Sequence, residues 1–97
     1  MRVRFADRKL ERLEADAGYM AGLGRDIVKA YRKVMQLLRS AVDERDLYAV
    51  KSLHFEKLKG NRSHQRSLRL NRQFRLIIEI EEENEKTIVV ISIEDYH

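Results

Sequence analysis

Cysteine and proline are both absent from the 97-residue chain, and no long apolar run occurs in it. Without cysteine there is neither a disulfide framework nor a thiolate metal site. Without an apolar stretch near ~18 residues, nothing signals a membrane-spanning helix. Met1 to Asp7 lack the apolar core of a signal peptide, so cytoplasmic residence and no membrane partner are expected. Glycine is scarce, and Gly22-Leu23-Gly24 lacks the strand, third glycine and downstream acid of a dinucleotide site, which leaves it a turn. No linker, repeat or low-complexity tract divides the chain. The expectation is one domain, residues 1–97, too small for two lobes with a cleft between them. Any active site must therefore lie on an open face.

What is present is charge, sorted along the chain. From Lys51 to Arg75 eight Lys or Arg stand against one acid, Glu56, a net of +7. From Leu76 to His97 seven acids stand against Lys86, a net of −6. Self-repulsion among clustered cations is tolerated where it has a use, and nucleic acid is the obvious polyanion to meet them.

The hydrophobic period divides the chain into a helical half and a β half. Val3-Arg4-Phe5 has the pattern of a short strand. Asp7 can cap a helix carrying Leu10, Leu13, Ala17 and Met20, which frays at Gly18, Gly22 and Gly24. A stronger amphipathic helix is predicted from about Arg25 to Val42, with Ile27, Tyr31, Val34, Leu38 and Ala41 on one stripe and Lys29, Arg32, Lys33 and Arg39 off it. A short helical turn within Asp43 to Val50 completes this half.

Past Lys51 the pattern alternates. Ser67 to Leu70 reads as a half-buried strand, with Asn71-Arg72 as a tight turn because asparagine tolerates positive φ. Phe74, Leu76, Ile78 and Ile80 take one face of the next strand; Arg75, Ile77, Glu79 and Glu81 take the other. Glu82 to Glu85 form an acidic loop, and Thr87 to Ile93, apolar on both sides, returns as a central strand. The expected fold is α+β, two helices on one face of a small, mainly antiparallel sheet of about four strands, the last three a meander.

The final strand runs into Glu94-Asp95-Tyr96-His97, side chains with no packing use in a core. Alternation places Asp95 and His97 on the face of Val89, Ile91 and Ile93, and Tyr96 on that of Ser92 and Glu94. The segment leading into the sheet brings His54, Lys57, Lys59, Arg62 and Arg75 toward this end. Two imidazoles and fixed cations suit cleavage of RNA by its own 2′-hydroxyl, which needs a base, an acid and positive charge at the phosphorane. Imidazole titrates near pH 6.5, roughly, while arginine keeps its proton and serves as an electrostatic clamp. No metal or cofactor is required for such a reaction.

Leu53-His54-Phe55-Glu56-Lys57-Leu58-Lys59-Gly60-Asn61-Arg62, then Ser67 to Leu76 with its Asn-Arg-Gln-Phe-Arg core, then Asp95-Tyr96-His97, resembles the HigB branch (plasmid maintenance killer proteins) of the RelE-like toxins. The resemblance covers the second half of the chain; the first half matches only in placing two helices before a sheet. It implies a RelE-like fold and the toxin of a type II toxin–antitoxin pair, one that enters the ribosomal A site and cuts messenger RNA. It further implies a cognate antitoxin, commonly a helix-turn-helix protein encoded next to it. Family roles would fall on His54 and His97 as proton-transfer residues, Tyr96 as a base-stacking or proton-transfer residue, Asp95 as the orienting residue and Arg75 as the phosphate clamp. Lys57, Lys59 and Arg62 would hold the RNA backbone.

Each of these residues also has a plainer reading. His54 between Leu53 and Phe55 could be a packed surface histidine, His64 a loop residue, and Arg75 a partner of Glu79 or Glu81 on its own strand. Tyr19, Tyr31 and Tyr48 read as core or interface residues. Histidine spacings of 10 and 33 residues match no compact metal motif. The alternative function is a non-catalytic module whose basic face binds nucleic acid or an acidic protein.

Overall fold

The structure, a computed structural model, describes residues 1–96. The chain runs β1 (Arg2–Phe5), α1 (Arg8–Ala15), α2 (Arg25–Ser40), α3 (Glu44–Ala49), β2 (Glu56–Lys57), β3 (Gln65–Arg69), β4 (Phe74–Glu82) and β5 (Lys86–Asp95). Single 3₁₀ turns occupy Lys51–Leu53 and Gly60–Arg62.

Asp7 caps α1 as the sequence suggests, its carboxylate accepting from the Lys9 N–H at 2.8 Å. The helix stops at Ala15, before the predicted Met20, because the chain turns around a side chain from α2. There the Arg32 guanidinium donates to the carbonyls of Leu13, Asp16 and Tyr19 at 3.0, 2.9 and 3.1 Å. Carbonyls satisfied in this way have no need of further helical turns. In α2 the predicted stripe of Ile27, Tyr31, Val34, Leu38 and Ala41 is buried. Asp43 and Asp46 form a reciprocal capping box that starts α3.

The sheet has five strands in the order β1-β5-β4-β3-β2. The β2–β3, β3–β4 and β4–β5 pairs are antiparallel, and β1 adds to β5 in parallel. This is the expected mainly antiparallel sheet, with the predicted N-terminal strand in place and one two-residue edge strand added. Leu10 and Leu13 of α1, the α2 stripe and Leu47 of α3 pack on Leu68, Leu76, Ile78, Ile88 and Val90 of the sheet. The core thus lies on one side of the sheet, and the opposite face carries the polar rows. Of the tyrosines, Tyr31 is in the core and Tyr19 is half-buried under Arg12, 4.1 Å away. Tyr48 is 54% exposed and meets the Phe55 ring edge-on.

Two local features differ from the sequence reading. Asn71 has no positive φ; instead its Oδ1 accepts from the Gln73 and Phe74 N–H groups at 2.8 and 2.7 Å, so the side chain closes the β3–β4 loop. The second feature is a bulge in β5. Ile77 pairs with Ser92 and Ile78 with Val90, leaving Ile91 as an extra residue. One added residue reverses the alternation beyond it. Ile93 and Asp95 therefore fall on the core-side rows of Leu76 and Phe74, whereas Val89 lies on the open face. This corrects the expected grouping of Asp95 with Val89.

Candidate functional site on the open sheet face

The bulge sends Ser92 and Glu94 to the open face, where Glu94 stands opposite Arg75, which in turn stands opposite Arg69. Tyr96, next in the same alternation, follows them. The Arg75 guanidinium carbon is 5.4 Å from the centre of the Tyr96 ring, within cation–π range. On this face the Glu56, Ser67, Ile77 and Ser92 positions form the adjacent cross-strand row.

His54 enters from the edge. It terminates the 3₁₀ turn at Lys51–Leu53 in the left-handed region, φ 46° and ψ 47°. A β-substituted residue is strained there, and such outliers gather at functional sites. The consequence is a double contact: the His54 carbonyl accepts from Arg75 Nη1 at 3.3 Å, and its Nε2 lies 3.3 Å from Arg69 Nη1. Glu56 Oε1 completes the surroundings of Arg75 at 3.8 Å. Arg75 is thereby drawn toward His54 and Tyr96 rather than toward Glu79 or Glu81. Those acids are engaged elsewhere, Glu79 with Gln65 and His64, Glu81 with Arg4.

Arg62 and Glu94 form a two-armed ion pair at 2.9 and 2.7 Å, and the Ser92 hydroxyl donates to the same carboxylate at 3.0 Å. Hydrogen bonding from Arg62 holds the Glu94 carboxyl below its ordinary range, against a partial burial that opposes it. The same bonds raise the Arg62 guanidinium further. On the core-side row of Phe74, Asp95 Oδ2 accepts from Gln73 Nε2 at 3.0 Å.

Of the sequence-predicted residues, His54, Arg75 and Tyr96 meet on the open face, whereas Asp95 points to the other side of the sheet, where it contacts Gln73. Lys57, on edge strand β2, and Lys59 are exposed at the rim. Arg62 is on the face but committed to Glu94. His97 lies outside the described residues. His64 is exposed in a loop near Glu79, as its plainer reading has it. Sequence reasoning missed Arg69, Glu56, Gln73 and Glu94 as site members. A three-residue loop over 71–73, in place of the two-residue turn, pairs Arg69 with Arg75, which is the signal that exposes the first of them. Among the described residues no group of three or more His, Cys, Asp or Glu could hold a metal ion. A concavity of about 710 Å³ lies on the helical side, lined by Met20, Arg25, Val28 and Lys33 among others, away from this convergence. No helix among the described residues is long and apolar enough to cross a membrane.

Helices on one side of a five-stranded sheet, with basic and aromatic side chains on the other, make an α+β fold similar to that of the RelE-like toxins. The fold resembles YafQ from Escherichia coli (TM-score 0.62, 11% identity, covering 98% of this chain and 93% of that one). It likewise resembles the YoeB–YefM complex from Staphylococcus aureus (0.58, 21%, 100% and 97%). A third similar structure is the YoeB/ParE toxin from Agrobacterium tumefaciens (0.57, 14%, 100% of both chains). Residues 3–97 match the family of HigB-like toxins, RelE-like toxins of type II toxin–antitoxin systems, and the chain belongs to that family. No curated protein matches the sequence significantly.

Proposed function

We propose that this type II toxin is a ribosome-dependent endoribonuclease that stops translation by cutting messenger RNA, without a metal or other cofactor. The observation that carries the reading is the meeting of His54, Arg75 and Tyr96 on one open face, with a strained backbone at the histidine. In the reaction the 2′-oxygen gives its proton to a base and attacks the adjacent phosphorus. The bond from phosphorus to the 5′-oxygen breaks, and that oxygen takes a proton from an acid. The products are a 2′,3′-cyclic phosphate and a 5′-hydroxyl. His54 and His97 are the proton carriers, Tyr96 stacks on a base or transfers a proton, and Asp95 orients the site. Arg75 clamps the phosphate, because a guanidinium stabilises developing negative charge without exchanging protons. Lys57, Lys59 and Arg62 line the path of the RNA backbone.

An open face offers little grip on free RNA, so the ribosome supplies the reactive geometry, a contribution worth several kcal/mol, on the order of 7 or more in favourable systems. Naked RNA is a poor substrate on this account. The site of action is then the cytoplasm, and residues 1–97 act as one toxin domain. As a member of a two-component family the chain is neutralised by a cognate antitoxin. A structural neighbour is itself a complex of this kind, YoeB–YefM. A small helix-turn-helix protein encoded beside the toxin fits that role.

Induced expression in a bacterial host tests the assignment. Arg75→Ala and His97→Ala are expected to relieve growth arrest while the protein stays folded. Undiminished arrest by both folded variants removes the catalytic assignment and leaves the basic face as a docking surface.

A further inference from the structure

We infer that Gln73 is a positioning residue that splints the segment after β5, so that the Tyr96 ring is held against Arg75. The inference rests on reading this face as the RNA-cleaving site. Residues past the last ladder position of a strand tend to fray, because nothing on the neighbouring strand continues the pairing. Here the neighbouring chain does continue it. The Gln73 carbonyl accepts from the Tyr96 N–H, one residue beyond the Phe74–Asp95 pair. The Gln73 carboxamide grips Asp95 Oδ2 at 3.0 Å. A single residue thus holds the backbone of position 96 and the side chain of position 95.

Gln73 can do this because its own backbone is fixed. The Asn71 Oδ1 accepts from the N–H of Gln73 and of Phe74, while the Leu70 and Asn71 N–H groups donate to the Phe74 carbonyl. The loop is closed from both sides, so Gln73 presents a carbonyl and an amide at fixed positions. The Tyr96 ring, which is 37% exposed and has its cation contact with Arg75, depends on this support for its placement. A glutamine suits the task, since an amide donates at any pH at which the protein is folded. Misplacement of a catalytic group by about 1 Å can cost ~10²-fold in rate, so a splint of this kind matters without touching substrate.

The test uses the full-length chain, followed by NMR relaxation and by cleavage on programmed ribosomes. Gln73→Ala keeps the carbonyl that accepts from Tyr96 and deletes the amide that grips Asp95, so the Tyr96 backbone order parameter should fall below that of the parent. Cleavage at saturating ribosomes should slow about tenfold with KM little changed, the signature of a misplaced group rather than lost binding. Gln73→Glu, of the same shape, should disorder Tyr96 in a folded protein, and Gln73→Glu with Asp95→Asn should restore the order by reversing donor and acceptor. Tyr96 as ordered in Gln73→Ala as in the parent, or still ordered in Gln73→Glu if the alanine variant does not fold, overturns the inference. Loss of order in Gln73→Ala, alongside an ordered parent that itself cleaves nothing, would uphold the splint and reject the nuclease reading instead.

Discussion

Arg62 holds Glu94 by two hydrogen bonds, 2.9 and 2.7 Å, although the cross-strand partner of Glu94 is Arg75. The carboxylate opposite Arg75 on the neighbouring strand is therefore occupied by another guanidinium, and the acid that does face Arg75 is Glu56, at 3.8 Å. Arg75 stays directed at His54 and Tyr96, available to a phosphate.

Removal of Arg62 should for this reason do more than delete one cation from the face. In Arg62→Ala the freed carboxylate can turn to Arg75 and compete with RNA. Cleavage on ribosomes should fall about tenfold, and Arg62→Ala with Glu94→Gln should recover part of the loss. Strictly additive effects in that double-mutant cycle would show that Glu94 never reaches Arg75.

The same pair sets a pH dependence of stability. Glu94 is held below its ordinary value of 4.5 in the folded state, first by the Arg62 hydrogen bond. A carboxyl depressed by folding stabilises fully above its unfolded pKa and loses that contribution as pH falls through the folded one. Denaturant titrations of the parent and Glu94→Gln should thus differ through neutral pH and converge well below pH 4.5. A gap that persists unchanged into strong acid would assign the difference to packing.

His54 offers a separation of stability from activity. Its φ of 46° suits glycine better than histidine. His54→Gly should therefore raise unfolding free energy by up to about 1 kcal/mol while abolishing cleavage, whereas His54→Ala should lose activity with no gain. Destabilisation by the glycine, measured in denaturant, would mean that the imidazole contributes more packing than its exposure suggests.

The Ser67 hydroxyl, fully buried beneath the open face, has no hydrogen-bond partner among the described residues. Ser67→Ala removes that unmet demand and should leave stability unchanged or raise it by about 0.5–1 kcal/mol. A loss of similar size in denaturant melts would reveal a bridging water at this position.

Much of this arrangement can be read from the chain, and the rest is hidden for identifiable reasons. The faces of α1 and α2 follow from helical spacing, and β4 from alternation. β2 gives no signal, because two exposed residues carry no period. The parallel pairing of β1 with β5 joins segments more than eighty residues apart, which local pattern cannot encode. The bulge is the most consequential omission. A strand apolar on both sides looks the same with or without an extra residue at Ile91, yet that residue decides which face receives Glu94 and Tyr96. His54 and Arg75 were recognisable by chemistry and by family pattern. Gln73 was not, since an amide whose task is to hold a neighbouring strand has no signature of its own.

The most direct test of the central claim reads the ends of the RNA. Ribosomes programmed with a defined message should, on addition of the parent chain, yield a 2′,3′-cyclic phosphate and a 5′-hydroxyl at the cut, with Arg75→Ala slower by about 10²–10³-fold. Messages that remain intact while translation stops, or cuts that bear a 5′-phosphate, would contradict it.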